Sequence, residues 1–227
     1  LERQLGAPMA IDVFLDLAIR ITAALSDVHR RGVIHKDINP DNILVDPQSR
    51  EVKLTEFGIA TLVPREQSVA VRPSLVEGTL AYMAPEQTGR MNRPIDARSD
   101  LYALGVVFYR MLTGTPPFSA TDPLEWIHCQ IARIPVPPSC IAPAVPVPLS
   151  ELVLKLLAKD PEQRYQSAEG LQRDLERCER EWRARGRIVP FRLGEHDAFD
   201  RFRMPRTLYG RDPELADRIA CAREAAD

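Results

Sequence analysis

The apolar stretch at residues 101–112 restricts the possible folds of this chain more than any other feature. Its apolar side chains are Leu101, Leu104, Val107, Phe108, Met111 and Leu112, a stripe wider than one helical face, and Gly114 follows as a helix end. Arg110 interrupts the stretch, which is also shorter than the roughly 20 residues of a membrane-spanning helix. We therefore predict a helix over residues 96–112 that is buried on more than one side, with no membrane span in the chain.

The composition is that of a globular protein with one sizeable core. The chain has 227 residues, of which 44% are hydrophobic and 27% charged, close to the average of folded domains. A formal net charge of −2 argues against a basic surface for nucleic acid. The four cysteines lie far apart without a CxxC pair, so we expect reduced thiols and a cytoplasmic location rather than disulfides or a zinc site.

Periodicity and turn residues predict the elements of the first half. A helix is expected from Pro8 to about Arg31. Two short β-rich segments, Ile43–Val45 and Val52–Leu54, are expected to form a hairpin around the turn residues between them. Residues 59–80 show no sustained period and predict a long loop.

In the second half, helical spacing returns at residues 149–157 and 167–185. Residues 135–148 hold six prolines, which we expect to exclude helix and central strand. The pattern weakens after residue 187, where we expect the domain to end.

A dense polar run at residues 35–42 contains the residues most suited to catalysis. Asp37 and Asn42 stand five positions apart on this turn-rich segment. Asp37 could accept a hydroxyl proton, and the side-chain oxygen of Asn42 could bind Mg²⁺, which prefers oxygen ligands. The pattern H-x-D-x₄-N alone would occur by chance at roughly the few-per-cent level in such a chain, so the interpretation depends on the motifs that follow.

Further motifs follow in order, and together they resemble the C-terminal lobe of eukaryotic-type protein kinases. HKDINPDNIL is similar to the catalytic loop, EFG to the metal-binding triplet and APE to the end of the activation segment. SDLYALGVVFYRMLTGTPPF is similar to the central helix, and KDPEQRYQSAEGL to the stretch whose arginine pairs with the APE glutamate. The resemblance covers about residues 7–180 and implies an α+β fold, a mainly α-helical kinase C-lobe with a small catalytic-loop hairpin.

The resemblance assigns a catalytic site with ATP and Mg²⁺ as cofactors. Asp37, Asn39 and Thr79 occupy catalytic positions, and Asp37 would orient and deprotonate a Ser or Thr hydroxyl of a protein substrate. Asn42 and Glu56 would hold Mg²⁺ against the phosphates of ATP. The surroundings of Thr79 and Asn39 resemble Ser/Thr kinases more than Tyr kinases.

The resemblance also assigns supporting roles. His35 would be a packing and hydrogen-bonding residue rather than a proton shuttle, and Asp100 would bond the backbone of the catalytic loop. Arg164 would pair with Glu86 of the APE motif.

Two residues depart from the pattern of active kinases. Asn39 stands where Ser/Thr kinases usually have a lysine that neutralises the transferred phosphate, a contribution of a few kcal/mol to the transition state. Glu56 replaces the aspartate of the metal triplet, and its extra methylene moves the carboxylate by about 1.5 Å. Both departures are expected to weaken catalysis, although HKDINP resembles the usual form in one group of kinase-like domains.

The N-terminal lobe is expected to be missing from this chain. Only 36 residues precede Asp37, whereas a five-stranded lobe with a helix needs about 60 or more. They contain no glycine-rich loop, strand lysine or partner glutamate, so we expect weak or no nucleotide binding by the truncated chain.

More narrowly, the chain resembles the kinase-like domain of bacterial hybrid signalling proteins that also carry AAA-type ATPase, sensor and histidine-kinase modules. The segments HKDINPDNIL and GTLAYMAPEQTGRMNRPIDARSDLYALGV carry this resemblance, and LYGRDPEL resembles the opening of the ATPase module. The expected organisation is a kinase-like lobe at residues 1–187, a linker at 188–207 and the start of the ATPase module at 208–227.

Three functions remain open. The first is a protein Ser/Thr kinase of a signal-transduction protein, favoured by Asp37, Asn42, Thr79 and the APE motif. The second is a pseudokinase acting as a regulatory or docking module, favoured by Glu56, Asn39 and the missing lobe. The third is a helical domain that only joins other modules, which the retention of both Asp37 and Asn42 disfavours.

Overall fold

A computed structural model describes residues 1–62 and 80–197 of the chain. The helix predicted over residues 96–112 lies in the middle of its hydrophobic core. The helices are α1 (Ile11–Arg30), α2 (Ala97–Thr113), α3 (Pro123–Ala132), α4 (Pro138–Ile141), α5 (Val147–Leu156) and α6 (Ala168–Arg185). The strands are β1 (Val33–Ile34), β2 (Ile43–Val45), β3 (Val52–Leu54) and β4 (Thr61–Leu62). Short 3₁₀ helices lie at Glu2–Gln4, Pro40–Asn42, Pro85–Thr88 and Pro161–Gln163.

Helix α2 is buried on nearly all sides, as its sequence predicts. Its N-terminus is capped by Asp96, whose carboxylate accepts from the Arg98 backbone N–H, and Gly114 ends it in the left-handed conformation (φ 79°). Helix α5 crosses α2 at Gly105, where a Cβ would lie only 2.7 Å from the Cβ of Leu156. The absence of a side chain at this position therefore permits the close helix packing.

Helices α1 and α6 pack against each other beside α2. Phe14 of α1 meets Phe108 of α2 edge to face, with ring centroids 5.5 Å apart. The apolar face of α6 is supplied by Leu171, Leu175 and Cys178, each fully buried, while its charged residues other than the buried Asp174 are exposed or half-buried. The helical core is thus built from the periodic stripes that the sequence shows.

The strands form two separate two-stranded antiparallel sheets within the described residues. The β2–β3 hairpin has the predicted bounds, and the Asp46 carboxylate stabilises its turn by accepting from the Gln48 and Ser49 N–H groups at 2.8 and 2.7 Å. The loop prediction for residues 59–80 is wrong at β4, which pairs with β1. A strand of two residues is too short to show an alternation of apolar and polar residues in the sequence, so β1 and β4 are recognised only by their pairing.

The proline-rich segment also differs from its prediction. Residues 138–141 form the single-turn helix α4, and α5 begins at Val147 with Pro148 in its first turn. Proline is compatible with the first turn because the N–H that it lacks has no acceptor there. Helix α3 was not predicted, and Pro123 occupies its first turn in the same way.

Residues 188–197 lie against helix α6. Ile188 is buried, Phe191 and Leu193 contact the core, and the Val189 N–H donates to the Glu181 carboxylate at 2.8 Å. The boundary at residue 187 stays a prediction, and the expected ATPase segment at 208–227 lies outside the described residues. Among the helices of residues 1–62 and 80–197, none is long and apolar enough to span a membrane.

The architecture is therefore α+β, helical with small sheets. The catalytic-loop residues 35–42 connect β1 to the β2–β3 hairpin and rest on α2. The absence of an N-terminal lobe stays a prediction.

Candidate active site

The backbone of the candidate catalytic loop is held by Asp100 of helix α2. The buried Asp100 carboxylate accepts from the backbone N–H groups of His35 at 2.9 Å and Lys36 at 2.7 Å, and lies 2.8 Å from the His29 Nε2. This is the role that the sequence comparison with kinases assigned to Asp100. Lys36 has a φ of 69°, in the left-handed region that costs a non-glycine residue about 1 kcal/mol or more. The loop therefore reaches Asp37 through a strained residue that α2 holds in place.

Two asparagine amides fix the carboxylate of Asp37. The Asn42 Nδ2 donates to Asp37 Oδ2 at 2.9 Å, and the Asn39 Nδ2 donates to Oδ1 at 3.0 Å. The same amides also donate to the backbone carbonyl of Asp37, at 2.9 and 3.3 Å. Asp37 itself is half-buried, so its carboxylate is oriented from within the loop and still reaches solvent.

Asn39 uses both ends of its amide inside the loop. Its Oδ1 accepts from the backbone N–H groups of Asp41 at 3.0 Å and Asn42 at 3.2 Å, which caps the 3₁₀ helix Pro40–Asn42. Its Nδ2 binds Asp37, as described above. The structure thus places Asn39 as a positioning residue for Asp37 with no positive charge to offer a phosphate.

The EFG triplet is attached to the same loop by its neighbours. The Thr55 N–H donates to the Asn42 carbonyl at 3.0 Å, and the Thr55 carbonyl lies 2.9 Å from His35 Nε2. The Phe57 ring lies against the His35 ring, with centroids 4.6 Å apart. Glu56, between them, is exposed and has a φ of 61°. These contacts bring Glu56 to the end of the hairpin that carries Asn42.

His35 is structural, as expected. It is fully buried, its Nδ1 accepts from the Asp37 N–H at 3.3 Å, and its Nε2 faces Thr55. The Nδ1 bond therefore lies within the loop, the Nε2 contact joins the loop to Thr55 beside the EFG triplet, and neither nitrogen is free to shuttle protons.

The oxygen donors at this site suit Mg²⁺ by their chemistry. The donor nitrogen of the Asn42 amide is used on Asp37, which leaves its oxygen as the end suited to a cation. Glu56 supplies a carboxylate. Within residues 1–62 and 80–197, no three His, Cys, Asp or Glu side chains cluster as a metal site.

Glu86 and Arg164 form the predicted ion pair. Arg164 Nη1 and Nη2 lie 2.7 and 2.8 Å from the two Glu86 oxygens, and both side chains are almost completely buried. Arg164 also donates to the carbonyls of Ala158 at 2.7 Å, Arg98 at 3.1 Å and Lys159 at 3.0 Å. The segment that ends in APE is thus anchored to the helical core.

Sequence reasoning missed two side chains that border the loop. Gln87 donates to the Lys36 carbonyl at 2.9 Å, and no sequence signal indicates this contact, because Ala84 at the start of the short helix lacks the side-chain oxygen of a capping box. Tyr82 accepts from Arg110 at 2.9 Å, and burial raises its pKa. Thr79, the remaining predicted catalytic residue, lies outside the described residues.

The same residues match a known family. Residues 6–175 match the model of the protein kinase domain. The chain is 38% identical over 168 residues to the serine/threonine-protein kinase PknB of Mycobacterium tuberculosis, covering 74% of this chain and 26% of PknB. It is also 38% identical over 170 residues to the serine/threonine-protein kinase Pkn1 of Myxococcus xanthus, covering 74% and 24%.

The chain therefore spans about a quarter of the length of these curated relatives. The match includes the catalytic-loop residues 35–42, the APE segment and helix α2, which form one connected site in the structure. Sequence and structure thus lead to one family, and the chain belongs to the protein kinase domain family.

Proposed function

We propose that this chain is part of a protein Ser/Thr kinase that transfers phosphate from ATP to a protein hydroxyl. The observation that carries the proposal is the pair of amide hydrogen bonds from Asn39 and Asn42 to the Asp37 carboxylate. These bonds fix the carboxylate in place while Asp37 stays partly exposed to solvent. Two relatives of the chain are named serine/threonine-protein kinases, which supports the same reaction.

In this proposal Asp37 is the residue that touches the substrate. Its carboxylate accepts the hydroxyl proton of the incoming Ser or Thr and orients its oxygen toward the phosphate. Asn39 and Asn42 hold that carboxylate in one rotamer, and Asp100 holds the backbone that carries it. Proximity and orientation, rather than covalent catalysis, would supply most of the rate. Thr79 completes the catalytic set by resemblance.

ATP and Mg²⁺ are the proposed cofactors. Asn42 and Glu56 would hold the cation, which when bound neutralises charge on the nucleotide phosphates. The structure supports this role through the oxygen donors present and through the bonds that join Thr55 to Asn42.

Phosphate transfer by the full-length polypeptide, compared with its Asp37→Asn variant, tests the proposal. Asparagine keeps the shape of the side chain but cannot accept the proton, so we expect kcat to fall by about 10² to 10⁴ with little change in KM for ATP. Transfer that persists at the same rate in the variant would contradict the role of Asp37.

A pseudokinase is the second candidate, and Asn39 favours it. The nitrogen and the oxygen of its amide are both hydrogen-bonded within the loop, and the neutral amide has no positive charge to neutralise a transferred phosphate. Glu56→Asp separates the two candidates. A large gain in phosphate transfer would indicate an enzyme limited by Glu56, whereas no transfer by either form, with the protein folded, would indicate a regulatory or docking module.

The wider context is also a proposal. By resemblance, the domain belongs to a cytoplasmic bacterial hybrid signalling protein, with residues 208–227 opening an AAA-type ATPase module and histidine-kinase modules as partners. The coding sequence beyond residue 227 tests this, since an ATPase module requires a G-x-x-x-x-G-K-[S/T] phosphate loop. A downstream sequence without such a loop would contradict it.

A further inference from the structure

Gln87 connects the APE segment to the catalytic loop. Its Nε2 donates to the Lys36 carbonyl at 2.9 Å, while its Oε1 accepts from the Ala84 N–H at 2.9 Å. The side chain is half-buried, and the residue before it, Glu86, is held by the buried pair with Arg164. One end of this bridge therefore rests on an anchored segment and the other on the loop.

The carbonyl that Gln87 binds belongs to the peptide unit that joins Lys36 to Asp37. The N–H of that same unit, on Asp37, donates to His35 Nδ1 at 3.3 Å. The preceding peptide is held by the Lys36 N–H on Asp100, and the φ of Lys36 between the two units is 69°. A non-glycine residue keeps this left-handed backbone conformation only when its surroundings fix it. The hydrogen bond from Gln87 is one of the contacts that fix Lys36.

We propose that Gln87 is a positioning residue for Asp37. Its donor bond sets the plane of the Lys36–Asp37 peptide and thereby the direction in which the Asp37 side chain leaves the loop. The catalytic consequence rests on the proposed kinase function, whereas the effect on the loop backbone does not.

Three substitutions in the full-length protein separate the two ends of the Gln87 amide. Gln87→Met removes both hydrogen bonds at similar length, Gln87→Glu keeps only the acceptor for Ala84, and Gln87→Lys keeps only a donor for Lys36. We expect kcat to fall about tenfold or more in the Met and Glu variants, because small misplacements of a catalytic group are costly. The Lys variant should retain most of kcat, and KM for ATP should change little in all three.

The opposite order of activities would overturn the proposal. If Gln87 only caps the 3₁₀ helix Pro85–Thr88, the Glu variant should resemble the wild type and the Lys variant should resemble Met. Gln163→Met, at an exposed glutamine on another 3₁₀ helix, is the matched control and should leave kcat unchanged.

Amide hydrogen exchange at Asp37 provides a readout that needs no kinase activity. We expect faster exchange in the Met and Glu variants than in the wild type, the Lys variant and the Gln163→Met control. This pattern in a protein without phosphate transfer would support the positioning role and contradict the proposed function. Equal exchange in all variants would overturn the positioning role.

Discussion

The two polar clusters of this domain, one around Asp37 and one around Glu86, are built in opposite ways. The Glu86–Arg164 pair is almost fully buried, and the remaining donors of Arg164 are used on backbone carbonyls. At the Asp37 cluster the carboxylate is half-buried, Glu56 is exposed, and both Lys36 and Glu56 have positive φ.

The proposed function accounts for this difference. A buried charge is tolerated only when its hydrogen bonds are complete, and in the Glu86–Arg164 cluster the donors of Arg164 are all used within the protein. A catalytic carboxylate must keep accessible acceptors, and the loop that carries it holds strain that its neighbours fix in place. Loss of a side chain should therefore reduce stability at the first cluster and activity at the second.

The largest expected effect on stability is at Arg164. Arg164→Met leaves the Glu86 carboxylate buried without its partner, so the free energy of unfolding should fall by about 3–5 kcal/mol. Chemical denaturation measures the difference.

The matched control is Arg183→Met, which breaks an exposed helical pair with Glu179. Such pairs contribute about 0.2–1 kcal/mol, so the control should change little. Equal losses in the two variants would show that burial does not distinguish these pairs.

A second effect is expected where residues 188–197 approach helix α6. The Asp197 carboxylate accepts from the Gln166 N–H at 2.5 Å and the Ser167 hydroxyl at 2.7 Å, and a Cβ on Gly170 would collide with Asp197. Gly170→Ala should therefore destabilise the domain by about 1–3 kcal/mol in thermal or chemical denaturation, despite alanine's better helix propensity.

The same substitution in an Asp197→Gly background is the control. With the collision removed, Gly170→Ala should become neutral or stabilising. Destabilisation of the same size in both backgrounds would contradict the packing of Asp197 on α6.

A smaller, pH-dependent effect is expected at Lys159, which lies beside the buried cluster. Its Nζ is 3.0 Å from the Tyr102 hydroxyl and 4.5 Å from the centroid of the Phe118 ring, and burial, with the Arg164 charge, lowers its pKa to about 8. Below pH 8 Lys159 is protonated in both the folded and the unfolded protein, and the folded state bears the full cost of burying its charge. Between pH 8 and 10.5 the folded state releases its proton first, so stability rises.

Denaturation of the wild type and of Lys159→Met across this range isolates the contribution of Lys159. The wild type should gain stability relative to the variant as the pH rises, on the order of 1 kcal/mol after allowance for solvent screening. A difference that stays constant with pH would show that the Lys159 pKa is not lowered.

The smallest effect on stability is expected at Asp37. Asp37→Asn should change the free energy of unfolding by less than about 1 kcal/mol, because the side chain reaches solvent and the Asn39 and Asn42 amides keep their bonds to the Asp37 backbone carbonyl. A loss as large as that of Arg164→Met would erase the distinction between the two clusters.

Features that depend on a local pattern could be predicted from the amino-acid sequence. Helix α2 follows from a wide apolar stripe with a cap at each end, and the β2–β3 hairpin from turn residues between two β-rich segments. Asp37, Asn42 and Asp100 could be selected because their motifs occur in a fixed order, and the structure joins Asp37 to Asn42 and bonds Asp100 to the loop.

Roles that depend on partners distant in the chain became visible only in the folded structure. The pairing of β1 with β4 and the bridge from Gln87 to Lys36 have no periodic signal. A polar side chain becomes a positioning group only when folding brings another hydrogen-bonding group within about 3 Å of it. For Gln87 that group is 51 residues away in the chain.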